Sequence, residues 1–305
     1  MIPTYPAIST CLWLAIDVQF TRSSISAANT SGLWRAVLKD GLLQADPGQF
    51  TELFEPMRFR KLDSHIDCPG IVIETEIHGG FTRIHLKFLG SAARFSAACL
   101  LAFESKLRSG VGRQAVTGFI AAINIWNGQK WKEISMPVVA TDLDSWRSNP
   151  AFLTGFDLSA VPSMRKGTLR ISTRTHWMVR SQGKVVRSAP DLVQILKMVE
   201  QRSMRVESAW GNADKNTIAT SILAATKASI LLCSLEQSWQ FVRTAVAGKY
   251  PSDGSRGHLI FDGEVSSEIL YWLHAGSFWH IGQQTALGLG GYAVDFKPMT
   301  GNDSA

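Results

Sequence analysis

Apolar and polar residues alternate at the period of a β-strand in four short runs of the first half. The runs are residues 11–20 (CLWLAIDVQF), 71–78 (IVIETEIH), 82–89 (TRIHLKFL) and 118–126 (GFIAAINIW). Gly79-Gly80 separates two of the runs and predicts a two-residue hairpin turn. Helical periodicity appears at 33–43 and at 91–108. The order β-α-β-β-α-β is that of a ferredoxin-like unit.

The second half repeats this order less regularly. Its predicted strands are 168–180, 258–265 and 292–296, and its predicted helices are 191–207, 216–247 and 266–278. Proline and glycine interrupt the periodicity at 145–167, so we expect an N-terminal domain at 1–150 and a C-terminal domain at 168–305. The C-terminal domain carries a helical insertion at about 208–250. The predicted fold class is α+β, with tandem ferredoxin-like, RRM-like domains and this additional helical segment.

The chain has 305 residues and a formal net charge of +6. A basic balance favours an anionic partner, such as nucleic acid or an acidic membrane face. The positive residues are scattered and form no block, so a solvated basic surface explains the charge equally well.

Cysteine usage and hydropathy indicate the compartment. The 4 cysteines lie far apart, with no CxxC pair, and suit buried, reduced thiols of the cytoplasm, although a disulfide between two of them stays open. The N-terminus has no basic and apolar pattern of an export signal. Lys227, Glu236 and Arg243 interrupt the most apolar helical stretch, 218–246, so no membrane partner is expected.

Glycine is dense at residues 279–296, WHIGQQTALGLGGYAVDF, between a predicted helix and the last predicted strand. Such a loop can present several N–H groups to phosphate, or let an RNA backbone lie against the main chain. The alternative is a loop that only packs tightly. Neither a P-loop nor a dinucleotide site fits, because no GKS or GKT follows and the helix precedes the loop.

Segments in both halves resemble those of the CRISPR repeat-processing endoribonucleases of the RAMP superfamily. HIGQQTALGLGGY (280–292) is similar to the terminal glycine-rich signature of that family. Further resemblance lies in SGLWRAVLKDGL (31–42), FTELFEP (50–56), GHLIFDGEVSSEILYWLHAGSFWHIG (257–282), and the strand TRTHWMVRSQGK with the helix ending in MVEQR. Residues 208–250 carry no such resemblance.

The resemblance implies an endoribonuclease that binds the repeat of precursor crRNA, often a hairpin. Cleavage would proceed by attack of the ribose 2′-OH on the adjacent phosphate, with no metal and no cofactor. The enzyme would stay on the 3′ hairpin of the mature crRNA and join other subunits of a CRISPR effector complex.

The catalytic residues are less clear, because many relatives have a histidine near the first helix whereas no histidine precedes His65 here. Arg22 and Arg35 occupy the region that the resemblance places against RNA, and either could instead be a solvated or capping arginine. His280 opens the glycine-rich signature, and its alternative role is to cap the preceding helix. His176 is a further catalytic candidate on a predicted strand.

The candidate RNA-binding residues are basic side chains suited to phosphate contacts, and glycines of the signature. The set is Lys39, Arg174, Arg180, Arg243, Lys249, Arg256, Gly282, Gly288, Gly290 and Gly291. Trp126, Trp131, Trp272 and Trp279 could stack on unpaired bases, although aromatic residues at such spacing are more often core.

Two other functions stay open. The absence of an early histidine favours a non-catalytic RAMP subunit that binds crRNA as a structural part of an effector complex. A generic RNA-binding module would lack a preference for the repeat, and the resembling segments argue against it.

Overall fold

A computed structural model describes residues 8–21, 31–56, 68–112, 115–135, 143–157, 164–181, 184–242, 254–282, 285 and 289–299, with the side chains of Arg180 and Ser181 excepted. The elements of the first half follow the predicted order. They are β1 (Leu12–Phe20), α1 (Ser31–Ala45), α2 (Pro47–Phe54), β2 (Ile71–Ile77), β3 (Thr82–Phe88), a 3-10 turn (Gly90–Phe95), α3 (Ser96–Ser109), β4 (Gly118–Trp126), β5 (Trp131–Ile134) and α4 (Pro150–Leu153).

The strands of the first half form one antiparallel sheet in the order β2-β3-β1-β4-β5. Its first four strands have the ferredoxin-like arrangement, and β5 extends one edge. Alternate residues of β1, such as Leu14 and Ile16, are fully buried on one face of the sheet. Helices α1 and α3 pack against each other. Trp13 and Asp17 lie on the opposite face of the sheet. Trp13 contacts Phe278 there, so this face packs against the second half.

The second half builds a second sheet of the same topology. Its elements are β6 (Met164–Thr173), β7 (Val179–Ser181), β8 (Lys184–Val186), α5 (Leu192–Trp210), α6 (Lys215–Ala228), β9 (Leu232–Val242), β10 (Gly254–Ser266), α7 (Ser267–Trp279) and β11 (Tyr292–Pro298). The sheet order is β11-β6-β10-β9, and β7 pairs with β8 separately. The predicted tandem ferredoxin-like fold is confirmed.

The predicted helix at 216–247 is wrong beyond Ala228. The chain forms β9 there, which pairs antiparallel with β10 from Leu232 to Val242. This strand lies at the edge of the sheet and is mostly exposed on both faces. The sequence therefore does not show the alternation of apolar and polar residues by which a half-buried strand is recognised. The insertion predicted at about 208–250 is therefore a helix followed by a strand within its described part.

Local sequence signals explain where several helices start. Asp46 accepts a hydrogen bond from the backbone N–H of Gln49, and Pro47 follows at the first position of α2. Asp191 and Gln194 form a capping box at the start of α5. The φ angle of 104° at Gly110 ends α3 in a conformation that glycine adopts without strain.

Contacts between the halves are extensive. Trp210 of α5 donates its indole N–H to the Cys68 carbonyl at 2.7 Å. The guanidinium of Arg202 on α5 donates to the Cys68 Sγ at 3.2 Å, and Asn149 donates to the Tyr271 hydroxyl. These bonds join residues far apart in the chain and hold the first half against the second.

The predicted reduced thiols are present, but one of them is not buried. Cys11, Cys68 and Cys99 are buried and Cys233 on β9 is exposed, and all four are free. No disulfide therefore joins them. Among the described helices, none is long and apolar enough to cross a membrane.

Candidate functional site

Two basic residues of α1 lie one helical turn apart and share an aromatic support. The Arg35 guanidinium is 5.5 Å and the Lys39 ammonium 5.4 Å from the centre of the Phe54 ring. Phe54 belongs to the FTELFEP segment and is the last residue of α2. Cation–π contact holds both charges near one surface while their stems pack on it.

Arg35 is a largely buried cation, and one of its donors has no partner among the described residues. Its Nε is buried and has no hydrogen-bond partner in the described part of the chain. Burial lowers the pKa of Arg35, because removal from water disfavours the charged form. A buried unpaired donor costs about 1–3 kcal/mol, so an anion that accepts from this group would be bound with a corresponding gain.

Five of the predicted residues lie wholly or partly outside the described part of the structure. These are Arg22, Arg243, Lys249 and Gly288, and the side chain of Arg180, whose backbone is in β7. Their predicted roles stay predictions.

His280 is fully buried at the C-terminal cap of α7. Its Nδ1 lies 3.1 Å from the Leu289 carbonyl oxygen and its Nε2 contacts Glu74 Oε1 of β2. The φ angle of His280 is +59°, a strained value for a residue with a side chain. The geometry favours the capping role over the catalytic one, because the imidazole has no face open to RNA.

Glu74 is the centre of a buried charge cluster that crosses from one half to the other. Besides His280, its Oε1 accepts from the Lys87 ammonium at 2.8 Å. Burial alone would raise the pKa of Glu74, but Lys87 and His280 outweigh burial and hold that pKa well below its ordinary value. Burial also lowers the pKa of Lys87 and of His280. We call Glu74, Lys87 and His280 the interlock.

Two aromatic rings pack beside the Lys87 ammonium of the interlock. The Lys87 ammonium lies 4.9 Å from the Trp13 ring centre and 5.4 Å from that of Phe278. The Trp13 indole N–H donates to His85 Nδ1 at 3.2 Å. Sequence reasoning gave no role to Glu74 or Lys87, although a charged residue in each of two apolar strands was a usable signal.

Gly290 and Gly291 pack against the chain that follows β6. The Gly290 N–H donates to the His176 carbonyl at 2.9 Å, and the Gly291 N–H donates to the Thr175 hydroxyl at 2.8 Å. The Gly291 carbonyl in turn accepts from the Arg174 N–H. These N–H groups are therefore engaged within the protein, which favours the tight-packing interpretation of the two glycines over a phosphate-binding one.

Steric space explains why glycine is required there. A Cβ at Gly290 would overlap the carbonyl oxygen of Ile281, and its φ is +83°. A Cβ at Gly291 would lie 2.9 Å from His280 Cε1. Gly282 has φ +87° and is partly exposed at the mouth of the loop. Of the described signature glycines, it is the one whose surface reaches solvent.

The remaining predicted basic residues lie in two places, one near the interlock and one on the second sheet. Arg174 is exposed, and after burial its positive charge is one of the smaller causes that lower the pKa of Lys87, so it lies in the neighbourhood of the interlock. Arg256 is exposed on β10, opposite Gln240 of β9. His176 is partly buried where Gly254 packs against it. The structure therefore does not bring these three residues together with Arg35 as one described site.

The four tryptophans considered for base stacking form two pairs that differ in burial. Trp272 and Trp279 are fully buried in the core. Trp126 and Trp131 are partly exposed, with ring centres 5.1 Å apart. Across the described ranges, no group of three histidine, cysteine, aspartate or glutamate residues could hold a metal ion.

No family model and no curated protein matches this sequence. Solved structures do resemble the fold. A Cas6 product complex matches with a TM-score of 0.58 and 13% identity over 94% of this chain and 100% of that chain. Thermus thermophilus Cas6 matches with a TM-score of 0.51 and 15% identity, covering 95% of this chain and 100% of its own.

A larger assembly gives a higher similarity. A partial Cas6-RT-Cas1–Cas2 complex matches with a TM-score of 0.64 and 12% identity over 97% of this chain. The present chain spans 47% of that longer chain. At such low identity the likeness concerns the fold, and the chain therefore has the tandem ferredoxin-like fold of these Cas6 structures.

Proposed function

We propose that this protein is a CRISPR repeat-RNA endoribonuclease that cuts precursor crRNA without a metal ion and stays bound to the repeat hairpin of its product. The observation that carries the proposal is the similarity of fold to a Cas6 product complex over 94% of the chain. The glycine-rich segment at 280–292 supports it independently, because its sequence resembles the family signature.

The proposed cleavage forms a bond between the ribose 2′ oxygen and phosphorus and breaks the bond to the 5′ oxygen. A base takes the 2′-OH proton, and the leaving 5′ oxygen gains a proton from an acid. The products are a 2′,3′-cyclic phosphate and a 5′-OH. Negative charge builds up on the phosphate oxygens between these states, so well-placed cations accelerate the step.

Arg35 is the described residue best suited to hold that charge. A guanidinium stays charged at neutral pH, so Arg35 stabilises a phosphorane and does not act as the base. Lys39 lies on the same helix face. Arg22, Arg243, Lys249 and Arg180 add further phosphate contacts in this proposal, together with Arg174 and Arg256.

The second candidate function is a non-catalytic subunit that binds crRNA within an effector complex. The burial of His280 favours it, because the interlock withdraws that histidine from general-base chemistry. In the endoribonuclease proposal, by contrast, His176 remains the candidate base among the predicted histidines. In either function we propose that the protein acts in the cytoplasm together with other CRISPR subunits. We also propose that its two domains span residues 1–150 and 168–305.

The first experiment is incubation of the purified protein with the repeat RNA of its own locus in excess EDTA. A matched RNA carries a 2′-deoxy ribose at the scissile position. Discrete cleavage that the deoxy substitution abolishes supports the endoribonuclease. Tight, repeat-specific binding of an RNA that stays intact supports the structural subunit instead, and equal binding of unrelated RNA argues against both.

Substitution of Arg35 separates chemistry from binding. We expect Arg35→Ala to lower the single-turnover cleavage rate about 100-fold, the scale of one lost charge-stabilising group, and to weaken repeat binding less. Arg108→Ala is the matched control, because Arg108 is an exposed arginine on α3 that forms an ion pair with Glu104. Equal losses of rate and affinity would make Arg35 a positioning residue.

A further inference from the structure

A cavity of about 560 Å³ lies between the β4–β5 turn and α4, apart from α1 and from the interlock. Its lining residues are Asn127, Gly128, Gln129, Ser148, Phe152, Gly155, Phe156 and Asp157. This volume falls in the range of small-molecule sites, and the lining combines aromatic and amide side chains. Neither the sequence resemblance nor the proposed cleavage step uses any of these residues.

Two aromatic rings form the apolar side of the cavity. The Phe152 and Phe156 rings are within 9° of parallel, with centres 6.4 Å apart. Phe156 is buried, whereas Phe152 is partly exposed. A planar ligand that stacks on Phe152 therefore lies parallel to Phe156 as well. Stacking on aromatic side chains is a common way for proteins to hold unpaired RNA bases.

The two amide side chains of the lining, Asn127 and Gln129, differ in the hydrogen bonds that they can offer a ligand. Asn127 Oδ1 accepts from the backbone N–H groups of Gln129 at 3.0 Å and Lys130 at 2.9 Å, so this oxygen is committed to the turn. The exposed Gln129 amide makes no hydrogen bond within the described residues. A free carboxamide presents one donor and one acceptor side by side, which matches the N6 and N7 edge of adenine.

We propose that this cavity holds one unpaired adenine of a bound RNA, with the base stacked on Phe152 and its edge read by Gln129. The inference rests on the proposed RNA-binding function and adds a base preference to it. Lys130 is exposed next to Gln129 and is suited to contact a flanking phosphate, which adds affinity without base preference.

The test uses the full-length protein and three short RNAs, UUAUU, UUGUU and UUUUU, with binding followed by fluorescence anisotropy. We expect wild-type protein to bind UUAUU about tenfold more tightly than the other two, the scale of one bidentate base contact. Gln129→Ala and Phe152→Ala should remove the preference. Lys130→Ala should weaken all three RNAs equally, and Gln201→Ala, an exposed glutamine on α5, should change nothing.

Three results would overturn the inference in different ways. Wild-type protein that binds and cuts its repeat RNA but shows no adenine preference leaves the proposed function intact and removes the adenine site. A preference that persists in both Gln129→Ala and Phe152→Ala places the adenine contact elsewhere in the protein. Absence of binding to the repeat RNA and to all three short RNAs contradicts the adenine site and the proposed function together.

Discussion

Lys87 and Arg35 are both largely buried cations, but they differ in how their charge is balanced. Lys87 donates to Glu74 at 2.8 Å, and two aromatic rings lie beside it. Arg35 has one ring beside it, and its Nε has no partner in the described residues. The first arrangement is complete within the protein, whereas the second has a donor left for a ligand.

The difference separates structural charge from charge available for function. A buried ion pair with satisfied hydrogen bonds adds little net stability but is costly to break, because the remaining charge loses its partner. A buried donor without a partner costs stability in the free protein and recovers it when an anion binds. We therefore expect substitutions at the interlock to affect folding and those at α1 to affect RNA chemistry.

Lys87→Met should give the largest loss of stability. Methionine keeps most of the volume, but Glu74 then loses the Lys87 ammonium and keeps only the His280 imidazole as a partner within the interlock. We expect the free energy of unfolding to fall by about 3–5 kcal/mol, measured by urea denaturation. Lys197→Met is the control at an exposed position of α5, where a change within about 0.5 kcal/mol is expected. Equal stability of the two variants would contradict the interlock.

Gly290→Ala should destabilise the protein by about 3 kcal/mol, from backbone strain at φ +83° and overlap with the Ile281 carbonyl. Gly79→Ala is the matched control, because a Cβ there meets nothing within 4 Å. Thermal unfolding of both variants measures the difference. A Gly290→Ala protein of normal stability that had lost RNA affinity would favour phosphate binding by this glycine over tight packing.

The sequence was sufficient for most of the fold because most strands alternate apolar and polar residues. β9 was not predicted, because both Leu235 and Glu236 are exposed at the edge of the sheet. The strand therefore has no apolar face that would show a period of two residues. The helical prediction there depended on apolar content alone. Edge strands lose the pattern by which buried strands are recognised.

The site was less predictable, because its contacts join distant parts of the chain. The dense glycines pointed to close backbone approach, and within the described residues Gly290 and Gly291 do pack closely against their neighbours. Nothing local indicated that His280 would meet Glu74, which is 206 residues away. Sequence reasoning left His280 open between chemistry and helix capping, because its burial depends on how the two sheets face each other.

Arg35→Ala should have the smallest effect on stability, and it tests the other side of the comparison. Loss of the cation–π contact with Phe54 costs about 0.5–1 kcal/mol, but removal of a buried unpaired donor relieves a penalty of similar size. We expect a change within about 1 kcal/mol in urea denaturation without RNA. In wild-type protein, bound repeat RNA should raise the unfolding midpoint, and Arg35→Ala should reduce that rise. A loss as large as that of Lys87→Met in the free protein would show that Arg35 already has a partner within the fold, and the contrast between the two cations would disappear.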